Sequence, residues 1–255
     1  MNSAFIVGLF VFFFGLIIGS FLNVVLWRLH RHESLAWPRS YCPKCRKEIP
    51  WYDNIPVLSF VILGGHCRRC KKSISWQYPI IELATGVIFL LLYFKFGISS
   101  DFFINLLISI FLLLIFVHDL KYYLILDQVI YPAMVIAFLG SAYLGLGFIN
   151  IVVGAIVGSG FFLIQFVVSK GKWIGDGDIG LGFLMGLILG WKMLLVALFL
   201  AYMLGAIVGI TLIMTGRKEM SSRIPFGPFL TLATLLTILY GSNILAWYIN
   251  LTFYS

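Results

Sequence analysis

The sequence predicts an all-α polytopic membrane protein of about eight transmembrane helices. A small cytoplasmic four-cysteine, zinc-binding insert is expected between helices 1 and 2. Three observations predict this. Of 255 residues, 61% are apolar and 11% charged, and the mean hydropathy of +1.03 lies far above that of a soluble domain. Apolar runs of roughly spanning length recur from end to end. Lys and Arg gather in alternate connections, as cytoplasmic loops require.

The first run, Ala4 to about Trp27, is longer than a signal-peptide core, and no basic segment precedes it in Met1-Asn2-Ser3. It reads as a retained first span with its N-terminus outside. The next runs are roughly Pro79–Gly97, Phe102–His118, Leu124–Leu146, Phe148–Val168, Ile179–Leu189, Leu194–Thr215 and Pro225–Leu251. Helices are the spanning element such runs can form, because each satisfies its own backbone polar groups. Ile179–Leu189 is short and reaches spanning length by borrowing from Gly177-Asp178 or from Trp191 onward.

With the N-terminus outside, the inside segments are about Arg28–Tyr78, Asp119–Tyr123, Ser169–Asp178 and Gly216–Ile224. They hold 16 of the 18 Lys and Arg residues, leaving Lys95 and Lys192. The formal charge of +8 is thus explained by topology and by anionic lipid headgroups, with no nucleic-acid partner required. The expected division is a first span at 1–27, a cytoplasmic domain at 28–78 and a membrane-embedded domain at 79–255. No internal repeat stands out.

The segment 28–78 holds Pro38, Pro43, Pro50, Pro56 and all four cysteines, and is too short to build a substantial core unaided. Cys42-Pro43-Lys44-Cys45 and Cys67-Arg68-Arg69-Cys70 are two C-x-x-C pairs, 21 residues apart. Each pair can turn two thiolates onto one metal, and together they complete a tetrahedral structural zinc site. A redox dithiol is the rival reading. His66 flanks Cys67 and is read as a surface residue rather than a ligand. His30 and His32 sit in a basic stretch and are read the same way.

Two acids stand at the edges of apolar runs. Asp119 ends one, and Asp178 closes the turn Gly175-Asp176-Gly177-Asp178 ahead of another. Acids in such places are costly and mark function, although Asp178 also suits a helix N-cap. Asp119 has no such excuse, since a carboxylate opposes the negative end of a helix. The topology puts both at the cytoplasmic face, where two carboxylates can activate a water. Asp176 and Asp127 remain open as alternative partners, and Glu82, four residues into a span, needs a partner of its own.

Several ordered motifs resemble one family, the bacterial prepilin peptidases or type IV leader peptidases, within the Gly-x-Gly-Asp intramembrane aspartic proteases. They are Gly19-Ser20-Phe21-Leu22-Asn23 with Arg28-Leu29, and Cys42-Pro43-Lys44-Cys45. Trp51-Tyr52-Asp53-Asn54-Ile55-Pro56, Cys67-Arg68-Arg69-Cys70 and Tyr78-Pro79-Ile80-Ile81-Glu82 follow. Asp119-Leu120 with Asp127, Gly175-Asp176-Gly177-Asp178 and Pro225-Phe226-Gly227-Pro228-Phe229 complete the set. One departure is Ile125-Leu126-Asp127, where the family usually has Ile-Pro-Asp.

The resemblance implies an aspartic endopeptidase with Asp119 and Asp178 as catalytic residues. It would cut the leader from type IV prepilins or pseudopilins on the cytoplasmic side of the inner membrane, just after a glycine. Members with the four-cysteine domain also methylate the new N-terminal amine, usually of phenylalanine, with S-adenosylmethionine. No glycine-rich nucleotide fingerprint locates that cosubstrate. Asn23, Asp53, Asn54 and Glu82 are polar candidates, each with a capping, turn or interhelical alternative. A transporter or a pilus or secretion assembly factor with a zinc-stabilised cap is the rival function.

Overall fold

The computed structural model describes residues 3–31, 33–34, 39–216 and 224–253. Met1, Asn2, His32 and Pro38, and the basic residues Arg217, Lys218 and Arg223, lie outside the described residues. Among those described, the regular elements are helical: α1 (Ser3–His30), α2 (Leu58–Ile62), α3 (Gln77–Phe96), α4 (Ser100–Tyr122), α5 (Asp127–Tyr143), α6 (Phe148–Ser169), α7 (Asp176–Met214) and α8 (Gly227–Phe253). Among the described residues, strand pairing is confined to two isolated bridges, Tyr41 with Glu48 and His66 with Ser73. The chain forms two compact units, residues 1–102 and 103–255.

Six of the helices, α1, α3, α4, α6, α7 and α8, are long and apolar enough to cross a membrane. The protein is therefore a multi-pass membrane protein. The expected eight spans are not all reached by that criterion. The fifth helix has only 17 residues, and the two runs on either side of Gly190 belong to one 39-residue element.

In the first unit, α1 and α3 pack through small residues. A Cβ added to Gly15 would meet the backbone of Gly86 at 2.7 Å, and one added to Gly19 would meet that of Glu82 at 2.7 Å. Lipid offers helices no hydrophobic reason to associate, so close backbone approach over Gly-x-x-x-Gly stretches supplies the contact. Gly15 and Gly19 form such a stretch.

The insert between α1 and α3 contains an internal repeat, which corrects the sequence reading. Cys42-Pro43-Lys44-Cys45-Arg46-Lys47 and Cys67-Arg68-Arg69-Cys70-Lys71-Lys72 recur 25 residues apart, as do Ile49 and Ile74, and Trp51 and Trp76. The copies share one hydrogen-bond pattern. Cys42 N donates to Lys47 O at 3.0 Å and Cys67 N to Lys72 O at 2.9 Å. Arg46 N donates to Cys42 O at 2.8 Å and Lys71 N to Cys67 O at 2.9 Å. Arg46 and Lys71 both take a positive φ, 56° and 58°.

In the second unit, α6 and α7 use the same small-residue device. Gly154 lies against the carbonyl of Gly186, and Gly158 against that of Gly182. The path of α7 is set by Gly190, with φ 65° and ψ 172°, a conformation essentially reserved for glycine. A straight helix would separate Gly182 and Leu194 by about 18 Å. Instead, a Cβ on Gly158 would touch both residues, Leu194 Cδ2 at 3.3 Å, so the chain folds back at Gly190. Asn150 Oδ1 accepts the backbone N–H of Trp191 at 3.1 Å and so caps the returning arm, 191–214.

Candidate active site and metal centre

Asp119 lies in the last turn of α4 and Asp178 in the first turn of α7. The structure brings them together within the second unit, near enough for their charges to interact. Both are buried, 6% and 7% exposed. Removing carboxylates from water is costly without compensating donors, and each acid has a backbone one. Gly175 N donates to Asp178 Oδ2 at 3.2 Å, and Gly227 N donates to the carboxylate of Asp119. Gly227 touches Asp119 so closely that an added Cβ would sit 2.5 Å from Oδ2. This contact gives the Pro225-Phe226-Gly227 stretch a role that the sequence reading did not assign.

The N-cap expectation for Asp178 is corrected in detail. Gly175 is the N-cap, and Asp178 is the third helical residue, whose carboxylate reaches back to accept the Gly175 N–H, one half of a capping box, the other half being impossible for a glycine without a side chain. That position aims the carboxylate at the helix N-terminus, where negative charge is favoured.

Asp176 and Asp127 are treated differently by the fold. Both are exposed first residues of helices, and Asp176 Oδ1 accepts from Gly177 N at 3.0 Å. They have the geometry of helix starts. Leu126, where the resemblance leads to an expected proline, takes φ −83° and ψ 127°. This is near the conformation a proline would impose, so α5 starts at Asp127 without it. His118 is buried, with Nδ1 2.6 Å from Leu124 O; it braces the turn after α4.

The four expected cysteines also come together. The Sγ atoms of Cys42, Cys45, Cys67 and Cys70 all lie within 4.8 Å of one another, and none forms a disulfide. Cys42 Sγ and Cys70 Sγ are 3.9 Å apart, close to the roughly 3.8 Å edge of a zinc–thiolate tetrahedron built on 2.3 Å bonds. Backbone N–H groups of Cys70 and Arg69 point at Cys67 and bring its thiol down to about 7. Burial pushes the Cys42 thiol up to about 11, although the N–H groups of Cys45 and Lys44 point at it. The donor set and the matched N–H···S bonds of the two knuckles fit a four-thiolate metal. His66 stands outside the cluster, with Nδ1 2.6 Å from Gly64 O.

The polar candidates of the first unit have structural partners. Asn23 Nδ2 donates to Tyr78 O at 3.2 Å, tying α1 to the start of α3. Asp53 is held by Arg68 at 2.7 Å, which keeps its carboxyl below the usual range. The N–H of Asn54 closes the turn on Trp51 O. Glu82 Oε2 accepts from Val57 N at 2.7 Å, and Val57 has a φ of 60°, rare for a β-branched residue. Glu82 thus holds a strained loop in place.

Residues 13–96 match the bacterial peptidase A24 N-terminal domain, and residues 106–210 match the type IV leader peptidase family. The chain is 34% identical over 248 residues to the prepilin leader peptidase/N-methyltransferase of Bacillus subtilis (strain 168), covering 94% of this chain and 97% of that relative. It belongs to the type IV leader peptidase family. Proteins of the same description from Aeromonas salmonicida (strain A449) and Pseudomonas aeruginosa are 33% and 30% identical, over 94% and 92% of this chain and 93% and 91% of theirs. No solved structure matches. Within this type IV leader peptidase the four cysteines fall in the N-terminal match, and Asp119 and Asp178 in the peptidase match. Gly227 lies beyond both.

Proposed function

We propose that this chain is a membrane aspartic endopeptidase and N-methyltransferase. It cuts the leader of type IV prepilins or pseudopilins after a glycine and then methylates the new N-terminal amine with S-adenosylmethionine. The observation that carries the peptidase is the buried pair Asp119–Asp178, each anchored by a glycine N–H while Asp127 and Asp176 face outward. The relatives named as prepilin leader peptidase/N-methyltransferases support both activities.

In the proposed mechanism, two neighbouring carboxylates hold one proton between them, because both cannot be charged cheaply at short range. The ionised member takes a proton from a water, which attacks the carbonyl of the leader's last glycine. The protonated member donates toward the scissile amide. The Gly175 and Gly227 N–H groups fix the orientation of each acid while this happens. No acyl-enzyme forms.

Cys42, Cys45, Cys67 and Cys70 would hold a structural zinc ion. Its part is to tie the two knuckles together, since four thiolates leave no open position for substrate. S-adenosylmethionine would supply the methyl group. Asn23, Asp53, Asn54 and Glu82 are engaged within the protein, and no step of methyl transfer is assigned to them.

The proposed topology has eight crossings, counting α5 and each arm of α7. The fold-back at Gly190 supports it, since 39 residues in one straight helix would run about 58 Å through a hydrocarbon core of about 30 Å. The N-terminus lies outside, the zinc-binding residues and both acids at the cytoplasmic face, and the domains divide at 1–27, 28–78 and 79–255. The concentration of Lys and Arg in the connections on that face supports this orientation.

The test is direct. Purified protein in detergent is incubated with a prepilin, with and without S-adenosylmethionine, and the product is weighed by mass spectrometry. The proposal expects loss of the leader in both cases and one added methyl group when the donor is present. An uncut prepilin would sink it and favour an assembly or transport role.

A further inference from the structure

The short helix α2 is built inside out. Leu58, Val61 and Ile62 follow the i, i+3, i+4 spacing of one helix face. All three are exposed, Val61 and Ile62 at 68% each. The side chain turned inward is a serine. Ser59 is the buried residue of α2, its hydroxyl donating to Tyr52 O at 3.0 Å and accepting from Ile55 N at 3.0 Å. Two indole rings flank the helix, Trp51 at 80% and Trp76 at 69% exposure. Trp51 adjoins the Tyr52 that Ser59 holds, and Trp76 packs on Phe60 of α2 with centroids 4.8 Å apart. A helix bathed in water shows the opposite order, apolar side in and polar side out. A cluster of exposed apolar side chains marks an interaction surface.

The depth of α2 identifies what covers it. Val57, the residue ahead of α2, donates its N–H to Glu82 Oε2 at 2.7 Å. Glu82 lies five residues after Gln77, the first residue of α3, about 7.5 Å along the helix axis, and its side chain leans back toward the helix start. Val57 is therefore about level with the first turns of α3. That helix has 20 residues, about 30 Å of length and the thickness of a hydrocarbon core, so its first turns stand at the membrane boundary. The neighbouring α1 agrees. Gly19 packs against Glu82, and the apolar run of α1 continues past that level to Trp27. Lipid thus borders both helices at the height where Leu58, Val61 and Ile62 face outward.

We infer that α2, Trp51 and Trp76 are seated in the interfacial layer of the bilayer, so that the four-cysteine insert lies on the membrane surface rather than standing in water. Interfacial helices bury their apolar face about 5–10 Å into the boundary between headgroups and acyl chains, and indole rings favour that layer. The charge of the insert fits the same surface. Lys44, Arg46, Lys47, Arg69, Lys71 and Lys72 are exposed and match anionic headgroup phosphates. The insert is tied at both ends to the spans α1 and α3, so lipid is within reach in every copy of the protein, with no partner needed. The inference rests on those spans and is independent of the peptidase reading.

The experiment uses the full-length protein in vesicles of equal parts phosphatidylcholine and phosphatidylglycerol. Val61 is replaced by the photoreactive p-benzoylphenylalanine. In a second protein Val87, half-exposed on α3, is replaced in the same way. After irradiation the adducts are weighed by mass spectrometry. Phospholipid adducts are expected at both positions, with the Val61 yield within about threefold of the Val87 yield. A crosslink from Val61 to a second copy of the chain, or to added prepilin, overturns the inference in favour of that occupant. An unmodified Val61 protein beside a lipid-linked Val87 protein overturns it too, because α2 would then face water. No lipid adduct at Val87 would remove the span itself, and the inference with it. Trp51→Phe supplies a second measurement that keeps an apolar ring in place. The fluorescence it removes should be quenched in the wild-type protein by phosphatidylcholine brominated on its acyl chains, and should resist iodide in the buffer. Quenching by iodide instead, with no response to bromine, places Trp51 in water and refutes the interfacial seat.

Discussion

Replacing Gly227 with alanine tests how tightly the fold positions its first acid. The new Cβ would stand 2.5 Å from Asp119 Oδ2 and 3.2 Å from Cγ. Ordinary contact begins at 3.4 Å, so the carboxylate oxygen has to retreat by about 0.9 Å or α8 has to give. A displacement of about 1 Å at a reacting group costs on the order of 100-fold in rate. Alanine is otherwise the better residue in a helix, so Gly227→Ala should not weaken α8 itself. The assay is the initial rate of prepilin cleavage by purified protein, beside a size-exclusion profile showing intact material. We expect a rate about 100-fold below wild type with a normal profile. Cleavage within about threefold of wild type would refute the reasoning, because Asp119 would then tolerate a shift of that size.

Other outcomes follow from the same geometry. Asp127→Asn and Asp176→Asn should keep cleavage within a few-fold of wild type, since both acids are exposed helix starts whose loss costs about 1 kcal/mol of capping or dipole energy at most; the cleavage assay reads this. Cys42→Ser or Cys67→Ser should reduce bound zinc from one ion per chain to none, measured by elemental analysis of the purified protein. Acid should release the metal from wild type, because thiolates must be deprotonated to bind it. Gly190→Ala places a Cβ 2.6 Å from the Asn150 side chain at a φ of 65°. It should cost about 1–3 kcal/mol, seen as a lower thermal unfolding midpoint in detergent.

Much of the fold was legible because lipid leaves a strong signature. Uninterrupted apolar runs announced α1, α3, α4, α6 and α8, and the charge pattern announced their connections. Hydropathy reports no φ, so the reversal at Gly190 appeared in the sequence only as a gap between two runs. Packing was less visible still. Gly154 and Gly158 facing Gly186 and Gly182 are ordinary glycines in a chain with 25 of them; only their four-residue spacing set them apart. The repeat of the two knuckles was short enough to pass as a pair of C-x-x-C motifs, although Lys47 and Lys72, Ile49 and Ile74, and Trp51 and Trp76 were there to extend it.

The site divides in a similar way. Asp119 and Asp178 could be named from type and place, because a carboxylate at a membrane boundary needs a reason. On the residues alone Asp127 and Asp176 stayed open and only the family resemblance preferred the other two; the burial of Asp119 and Asp178 beside the exposed Asp127 and Asp176 supports that preference and is something spacing does not encode. The N–H of Gly227 was hidden for a different reason. It comes from a helix more than a hundred residues further along the chain than Asp119, and a backbone donor leaves no mark in a sequence.

Cleavage of a prepilin by the Asp119→Asn and Asp178→Asn proteins, each in the full-length chain, bears most directly on the central claim. Each variant should be inserted and stable, leave the leader uncut, and still methylate a substrate supplied with its leader already removed. Either protein releasing mature product at the wild-type rate would show that its acid takes no part in the hydrolysis.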